Sequence, residues 1–250
     1  MNNKIQLAII GGTGVNRLFS WEEKINTPYG SVRLKIGEYR GKQFAFLNRH
    51  EDGHKLPPHL VNYRANIGAL KEMGVKNILA VNACGAINRR IKPGDFIFVD
   101  QFLDFTKSRA NTFFNGENGV RHIDLTDPYC PKLRKQLIKA AKELALPFQA
   151  QGTLVITEGP RFETPAEINF FSRIGGDLVN MTGYPEVVLA REAGICYASI
   201  CIVSNFAAGV KKQALNIEEL GQAMAKIEKP LWQLIFKAVE GLEAEGACSC

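Results

Sequence analysis

Short apolar, β-branched runs recur along the chain: IQLAII (5–10), SVRLKI (31–36), QFAFLN (43–48), NILAVN (77–82), DFIFVD (95–100), TLVIT (153–157), DLVNM (177–181) and YASICIV (197–203). Each has the length and residue types of a strand. Between them, apolar positions return every three or four residues over 61–74, 131–146, 164–175 and 185–194, which predicts helices. Ile217, Leu220, Met224, Ile227, Leu231 and Leu234 keep the same spacing and predict a last, long amphipathic helix.

Strands and helices in alternation predict an α/β fold, a central mixed β-sheet flanked by helices on both faces. The stretch 31–48 is an exception to the alternation: two strand patterns joined through 37–42 predict an antiparallel hairpin, so the sheet is mixed. No Pro/Ser/Gly linker and no fixed-period repeat divides the sequence, and 46% hydrophobic residues suffice for a substantial core. We therefore expect one domain over 1–250, with 245–250 a flexible tail.

The ends of the apolar runs carry the chemistry, because a strand end offers polar groups above a rigid platform. Six such caps stand out: GGTG (11–14), NRHEDGH (48–54), NACGA (82–86), TEGPRFETPAE (157–167), NMTGYPE (180–186) and SNFAAG (204–209). The first lets backbone N–H groups approach an anion closely, but it matches neither the dinucleotide fingerprint nor the Walker pattern. Arg49 and His50 at one strand end supply a forked donor and a second donor for phosphate oxygens. Joined with Thr13 and Thr182, they predict a site for one free phosphate. No ligand cluster for a metal accompanies them. Phe162 offers a stacking face, Glu163 acceptors, and Asn205 two donors and an acceptor, a set suited to a flat heteroaromatic ring. Each also has an ordinary structural use: core packing for Phe162, a helix start at Thr164-Pro165 for Glu163, a turn for Asn205.

The net charge of +6 admits an anionic ligand, yet the Lys and Arg residues are scattered. Arg89-Arg90 and Lys211-Lys212 read as solvated faces, and no nucleic-acid-binding motif accompanies them. The first apolar run is too short for a signal peptide and nothing approaches a membrane span, so a cytoplasmic protein is expected. The six cysteines lack zinc spacing; most read as buried thiols, whereas Cys248 and Cys250 read as either a redox pair or an ordinary end.

Taken in order, GGTGV, NRHEDGH, ALKEMGVKNILAVNACGAI, KPGDFIFVDQFLDFT, EGPRFETPAE and NMTGYPEVVLAREAGICYASICIVSN resemble the trimeric purine nucleoside phosphorylase and methylthioadenosine phosphorylase family, from about residue 5 to residue 240. The resemblance implies phosphorolysis: phosphate attacks C1′ of a purine nucleoside and releases the base and a ribose 1-phosphate, without metal or organic cofactor. It implies Thr13, Arg49, His50, Ala83 and Thr182 as phosphate ligands, His50 and Asn205 as the catalytic pair, Met181 under the ribose, and Phe162 stacked on the base. Asn205 stands where adenine-specific members carry Asp, and Ala207 where they carry a second Asp. An amide NH₂ donates to both N7 and O6 of a 6-oxopurine, and Glu163 accepts from its N1–H. Inosine, guanosine or S-methyl-5′-thioinosine are thus the implied substrates, with S-methyl-5′-thioadenosine the alternative. Ile217 falls where hydroxyl-binding members carry His and points to a 5′-methylthio group. HIDLTDPYC (122–130) resembles the segment lent to a neighbour's site, so His122 is expected to act across subunits of a homotrimer or a dimer of trimers. Disulfides known in family members from hot environments give one reading of Cys130, Cys196, Cys201, Cys248 and Cys250. Asn82 and Gly183 depart from the hydroxyl residues common beside the phosphate, and RHEDGH adds acidity there.

Overall fold

The computed structural model describes residues 5–12, 19–117, 119–211 and 217–242. In chain order the elements are β1 (Leu7–Gly11), β2 (Phe19–Thr27), β3 (Gly30–Tyr39), β4 (Lys42–Asn48), a 3-10 turn at Pro58–Leu60, α1 (Tyr63–Glu72), β5 (Asn77–Ala86), β6 (Phe96–Ile97), β7 (Gln101–Phe105), α2 (Pro131–Glu143), β8 (Phe148–Gln149), β9 (Thr153–Thr157), α3 (Pro165–Arg173), β10 (Leu178–Asn180), α4 (Gly183–Glu192), β11 (Cys196–Phe206) and α5 (Ile217–Glu240). One path of hydrogen-bonded neighbours runs β2-β3-β4-β1-β5-β10-β9-β7, and β11 pairs with both β5 and β6. The sheet is mixed as expected: β1 lies parallel to β4 and β5, while β3 is antiparallel to β2 and β4.

The hairpin closes tightly at Arg40 and Gly41, both at positive φ (49° and 76°), the pair of left-handed residues that a two-residue turn between right-twisted strands requires. β5 sits in the middle and its side chains divide the interior. Ile78, Ala80, Cys84 and Ala86 belong to a cluster with Ile67 and Leu70 of α1 and Val187 and Leu189 of α4. Leu79 and Val81 belong to a second, with Leu133 and Leu137 of α2 and Leu231, Leu234 and Ile235 of α5. Period-two alternation on the central strand thus places helices on both faces.

Parts of the sheet differ from the sequence expectation. β2 does not follow from the sequence pattern, because Trp21-Glu22-Glu23-Lys24 lacks a strand's alternation; among the described residues this edge strand pairs with β3 alone, and its packing on the core comes from Phe19 and Ile25 near its two ends. β11 runs through Asn205 to Phe206, past the expected end at 203. Its pairing register with β5 shifts between Val203 and Asn205, a bulge at Ser204 that keeps the strand going while re-aiming the residues after it. The stretch 95–100 also divides, with only Phe96 and Ile97 in β6 and β7 beginning at Gln101.

Candidate active site

The C-terminal ends of β1, β4 and β5 meet the start of α4. Arg49 follows β4, and its backbone N–H bonds Gly11 O at the end of β1 (2.8 Å). Its guanidinium is buried with Glu186 of α4: Nε to Oε1 at 2.5 Å and Nη2 to Oε2 at 2.9 Å, while Nη1 donates to Val81 O at 3.1 Å. Tyr197 of β11 donates a further hydrogen bond to Glu186 Oε2 (2.9 Å). Burial pulls the guanidinium's affinity for its proton down, but the charge and hydrogen bonds of Glu186 outweigh it, so Arg49 is held above its ordinary value and stays cationic. Three of its five N–H groups are used, which leaves two for a ligand.

Beside it, Thr182, the residue before α4, donates from its hydroxyl to Asn82 Oδ1 (3.1 Å), and Asn82 Nδ2 donates to Ser199 Oγ (2.8 Å). Asn82 therefore anchors Thr182 to two strands, a role its position in the sequence did not disclose. Ala83 is exposed although its neighbours along β5 are buried, so the sheet opens at that point. Thr13, the remaining expected phosphate ligand, lies outside the described residues.

His50 requires a correction. Its Nδ1 lies 2.7 Å from Leu56 O, a carbonyl that can only accept, so Nδ1 carries the proton. Burial foremost, and then the Arg49 charge, lower its pKa to about 4, so the ring is neutral at pH 7. Nε2 therefore presents a lone pair, and the expected second donor to phosphate is an acceptor. The ring stacks on His54 (centroids 4.2 Å apart) and faces Gly12, where an added Cβ would come within 3.2 Å of His50 Cδ2.

The second group of candidates gathers at the ends of β9 and β10. Thr157, the last residue of β9, donates to Glu163 Oε1 at 2.6 Å. Glu163 is buried, immediately before the cap of α3, where Thr164 Oγ1 accepts from Glu167 N (3.2 Å) and Glu167 Oε2 from Thr164 N (2.7 Å). Gly159 (φ 65°) folds the intervening loop against Met181, so tightly that a Cβ there would stand 2.6 Å from Met181 Sδ. Phe162 is exposed at the rim. Arg109 fastens this platform: Nη2 donates to Thr157 O (3.2 Å) and Glu158 O (2.8 Å), and Nη1 to Tyr184 O (2.6 Å). Nothing in the sequence around Arg109 marks it, because its partners, backbone carbonyls, the Tyr63 hydroxyl and the Glu158 carboxylate, lie on remote segments.

Asn205 pairs across to Gly85 in register, and Gly85 in turn pairs with Val179 of antiparallel β10, so β5 and β11 end together at the level where β10 begins. Its Oδ1 is within 2.8 Å of Ser204 Oγ and its Nδ2 donates to Phe206 O (2.8 Å), which leaves one amide N–H of the expected two for a ligand. Ala207 is buried among Ile87, Val155, Ile168, Phe171 and Val179, so it packs beneath the strand ends. His122 is exposed in a loop whose neighbours Arg121 and Asp124 bond the backbone of Glu192 and the side chain of Arg191, at the C-terminal end of α4. Thr182 sits at the other end, roughly 14 Å away for a helix of this length. His122 thus does not join the other candidates within its own chain. Ile217 begins α5, but its side chain lies outside the described residues. Cys84 and Cys201 are buried free thiols, which corrects the reading of Cys201 as a disulfide partner; Cys248 and Cys250 lie outside the described residues.

A groove of about 710 Å³ between α5 and the β3–β4 turn, lined by Tyr39, Trp232 and Phe236, is at the opposite end of β4 from Arg49 and shares no residue with these groups. Among the described residues no three His, Cys, Asp or Glu side chains cluster as a metal site, and no helix is long and apolar enough to cross a membrane.

Known proteins are similar to this chain over nearly its full length. The 6-oxopurine nucleoside phosphorylase of Pyrococcus furiosus is 46% identical over 98% of this chain and 96% of its own. A Methanopyrus kandleri protein named "Probable S-methyl-5'-thioinosine phosphorylase" is 45% identical over the same shares. The structure of methylthioadenosine phosphorylase from Schistosoma mansoni in complex with adenine superposes with a TM-score of 0.91, at 34% identity, covering 97% of this chain and 93% of that one. The family model described as "Phosphorylase superfamily" matches residues 6–240, and with these full-length relatives it shows that the chain belongs to the phosphorylase superfamily.

Proposed function

We propose that the protein cleaves the N-glycosidic bond of 6-oxopurine nucleosides with inorganic phosphate, giving the free base and ribose 1-phosphate or its 5-methylthio analogue. The observation that carries the base preference is Glu163, a buried carboxylate fixed by Thr157 beside the strand ends. An acceptor there pairs with the N1–H of hypoxanthine or guanine, whereas adenine presents a lone pair at N1 and would leave the carboxylate unmatched. Asn205 adds its remaining amide N–H toward the imidazole edge, where negative charge develops as the base departs. Phe162 covers the ring and Met181 the ribose, while Ala207 supports the base pocket from below.

Phosphate takes the other corner. Arg49 offers its two remaining N–H groups, Thr182 its hydroxyl, whose one proton turns from Asn82 Oδ1 to a phosphate oxygen, Ala83 its place at the opening of β5, and Thr13 and Gly12 the glycine turn. Hydrogen phosphate still carries one O–H, and the His50 Nε2 lone pair accepts it, which turns the P–O⁻ edges toward the cations and the sugar. Phosphate is a co-substrate, and the reaction so written needs no metal or organic cofactor. The apolar face formed by Phe105, Phe170 and Ile174, exposed in the single chain, supports a homotrimer or a dimer of trimers, and the position of His122 at the far end of α4 supports its action in a neighbouring subunit. We assign the enzyme to the cytoplasm, with no nucleic acid or membrane partner. Ile217 supports a 5′-methylthio substrate.

A substrate panel tests this: inosine, guanosine, methylthioinosine, adenosine and methylthioadenosine, each with and without phosphate. Cleavage confined to 6-oxopurines in phosphate is expected, and phosphate-independent cleavage or a preference for adenine overturns the reading. The second reading, a methylthioadenosine phosphorylase, is favoured by the close superposition on an adenine-bound enzyme and gives the opposite ranking in that panel.

A further inference from the structure

We propose that Thr157 is a positioning residue for base recognition: its hydroxyl holds Glu163 as an ionised acceptor aimed at the N1–H of a 6-oxopurine. The inference rests on the function proposed above and adds to it a residue that does not itself reach the base. Thr157 Oγ1 lies between two acceptors, Glu163 Oε1 at 2.6 Å and the backbone carbonyl oxygen of Asn180 at 3.4 Å. It has one proton to give, and the shorter contact takes it. A separation of 2.6 Å is the length of a hydroxyl bonded to a carboxylate, shorter than one between neutral groups.

The geometry leaves Thr157 little freedom to do otherwise. It ends β9, paired to Phe105 of β7, and Arg109 holds its carbonyl and that of Glu158. The threonine's branched side chain adds stiffness about χ1. Glu163 is fixed on its far side by the capping box that starts at Thr164. A carboxylate gripped at one oxygen by a rigid strand presents the remainder of its lone pairs in a fixed direction. Burial raises the Glu163 carboxyl above its ordinary value, and the Thr157 hydroxyl is the foremost group acting against that rise. Without the hydroxyl, a larger share of Glu163 would take a proton and lose the acceptor that N1–H needs.

The test compares Thr157→Val, Thr157→Ser and Glu163→Gln, with kcat/KM for inosine and adenosine measured across pH. In Thr157→Val the inosine value should fall roughly ten- to hundred-fold, the effect of losing one hydrogen bond to a charged group. The acidic limb of its pH profile should move to higher pH. Adenosine, which has no N1–H, should lose nothing, and Thr157→Ser should restore both the rate and the profile for inosine. A Thr157→Val enzyme with an unchanged profile, or with equal losses on both nucleosides, overturns the positioning role while leaving the proposed function standing, provided Glu163→Gln still abolishes the inosine preference. If Glu163→Gln keeps that preference, the base assignment itself falls, and the role of Thr157 with it.

Discussion

Arg49 and Glu186, 137 residues apart, meet in a two-point ion pair that is 2% and 0% exposed. Such a pair is costly to break from one side, because the charge left behind has no water to turn to. Glu186 also fixes the plane of the guanidinium, which leaves one N–H on Nη1 and one on Nη2 not used for structure.

Glu186→Gln should therefore destabilise the fold by about 3–5 kcal/mol, the usual cost of removing one member of a buried pair. Phosphate should restore much of that loss, since an anion at the two free N–H groups neutralises the charge that Glu186 no longer balances. Thermal unfolding of both proteins with and without phosphate checks this. An equal rise in Tm for wild type and variant would place Arg49 outside the anion site.

His50 leads to a prediction about anions. With its proton committed to Leu56 O, the neutral ring can accept from hydrogen phosphate but has nothing to offer sulfate, which carries no proton at pH 7. Phosphate should bind roughly tenfold more tightly than sulfate at pH 7, about the worth of one hydrogen bond, and His50→Ala should erase most of that difference. Competition of sulfate against phosphate in the phosphorolysis assay measures it; undiminished discrimination in the variant would refute the acceptor role.

The same ring sets a pH limit on stability. Its folded pKa, about 4, lies below the ordinary 6.5, so the unfolded chain takes up a proton that the folded protein refuses. The contribution is fully present above pH 6.5 and is lost as pH falls toward 4. His50→Gln should flatten the dependence of Tm on pH in that window, and a slope identical to wild type would contradict the assignment.

How far these features were legible follows from what fixes each one. Arg49, Thr182, Glu163 and Asn205 could be singled out because each lies in a polar cap that follows an apolar run, where side chains stand above a rigid platform. Glu186 and Tyr197 could not, since an interaction between remote elements leaves no spacing in the sequence. The tautomer of His50 depends on the backbone carbonyl of Leu56, which carries no side-chain pattern at all. The apolar pattern of β11 stops at Val203 because Ser204 and Asn205 are polar, yet a bulge lets a strand continue through polar residues by changing which way they face. β2 is illegible for the opposite reason, because the middle of an edge strand, Trp21 to Lys24, is exposed and carries no alternation.

Asn205→Asp should move the enzyme toward adenine. A carboxyl group that shares a proton suits the N7 acceptor and 6-amino donor of adenine, and as a carboxylate it repels O6 of hypoxanthine. The inosine kcat/KM should fall on the order of a hundred-fold or more, as sites built on matched hydrogen bonds do when the match is reversed, while that for adenosine or methylthioadenosine rises. Unchanged ranking of the substrates would remove Asn205 from base recognition.

Gly159 and Met181 should behave as a coupled pair. At Gly159 the backbone is left-handed (φ 65°) and an added methyl group would stand 2.6 Å from Met181 Sδ, so Gly159→Ala introduces two separable costs. The left-handed conformation costs an L-residue about 1–2 kcal/mol, and overpacking adds roughly 1–3 kcal/mol unless the methionine moves. Met181→Ala makes room for the methyl group and removes the second cost but not the first. The double variant should therefore be more stable than the sum of the two single losses predicts, by about the overpacking cost. Because Met181 is proposed to lie under the ribose, Gly159→Ala should raise the KM for nucleoside and leave that for phosphate near its original value. Denaturant unfolding of the four proteins gives the coupling and steady-state kinetics give the KM split; strict additivity with equal changes in both KM values would separate Met181 from the sugar and reduce Gly159 to an ordinary turn.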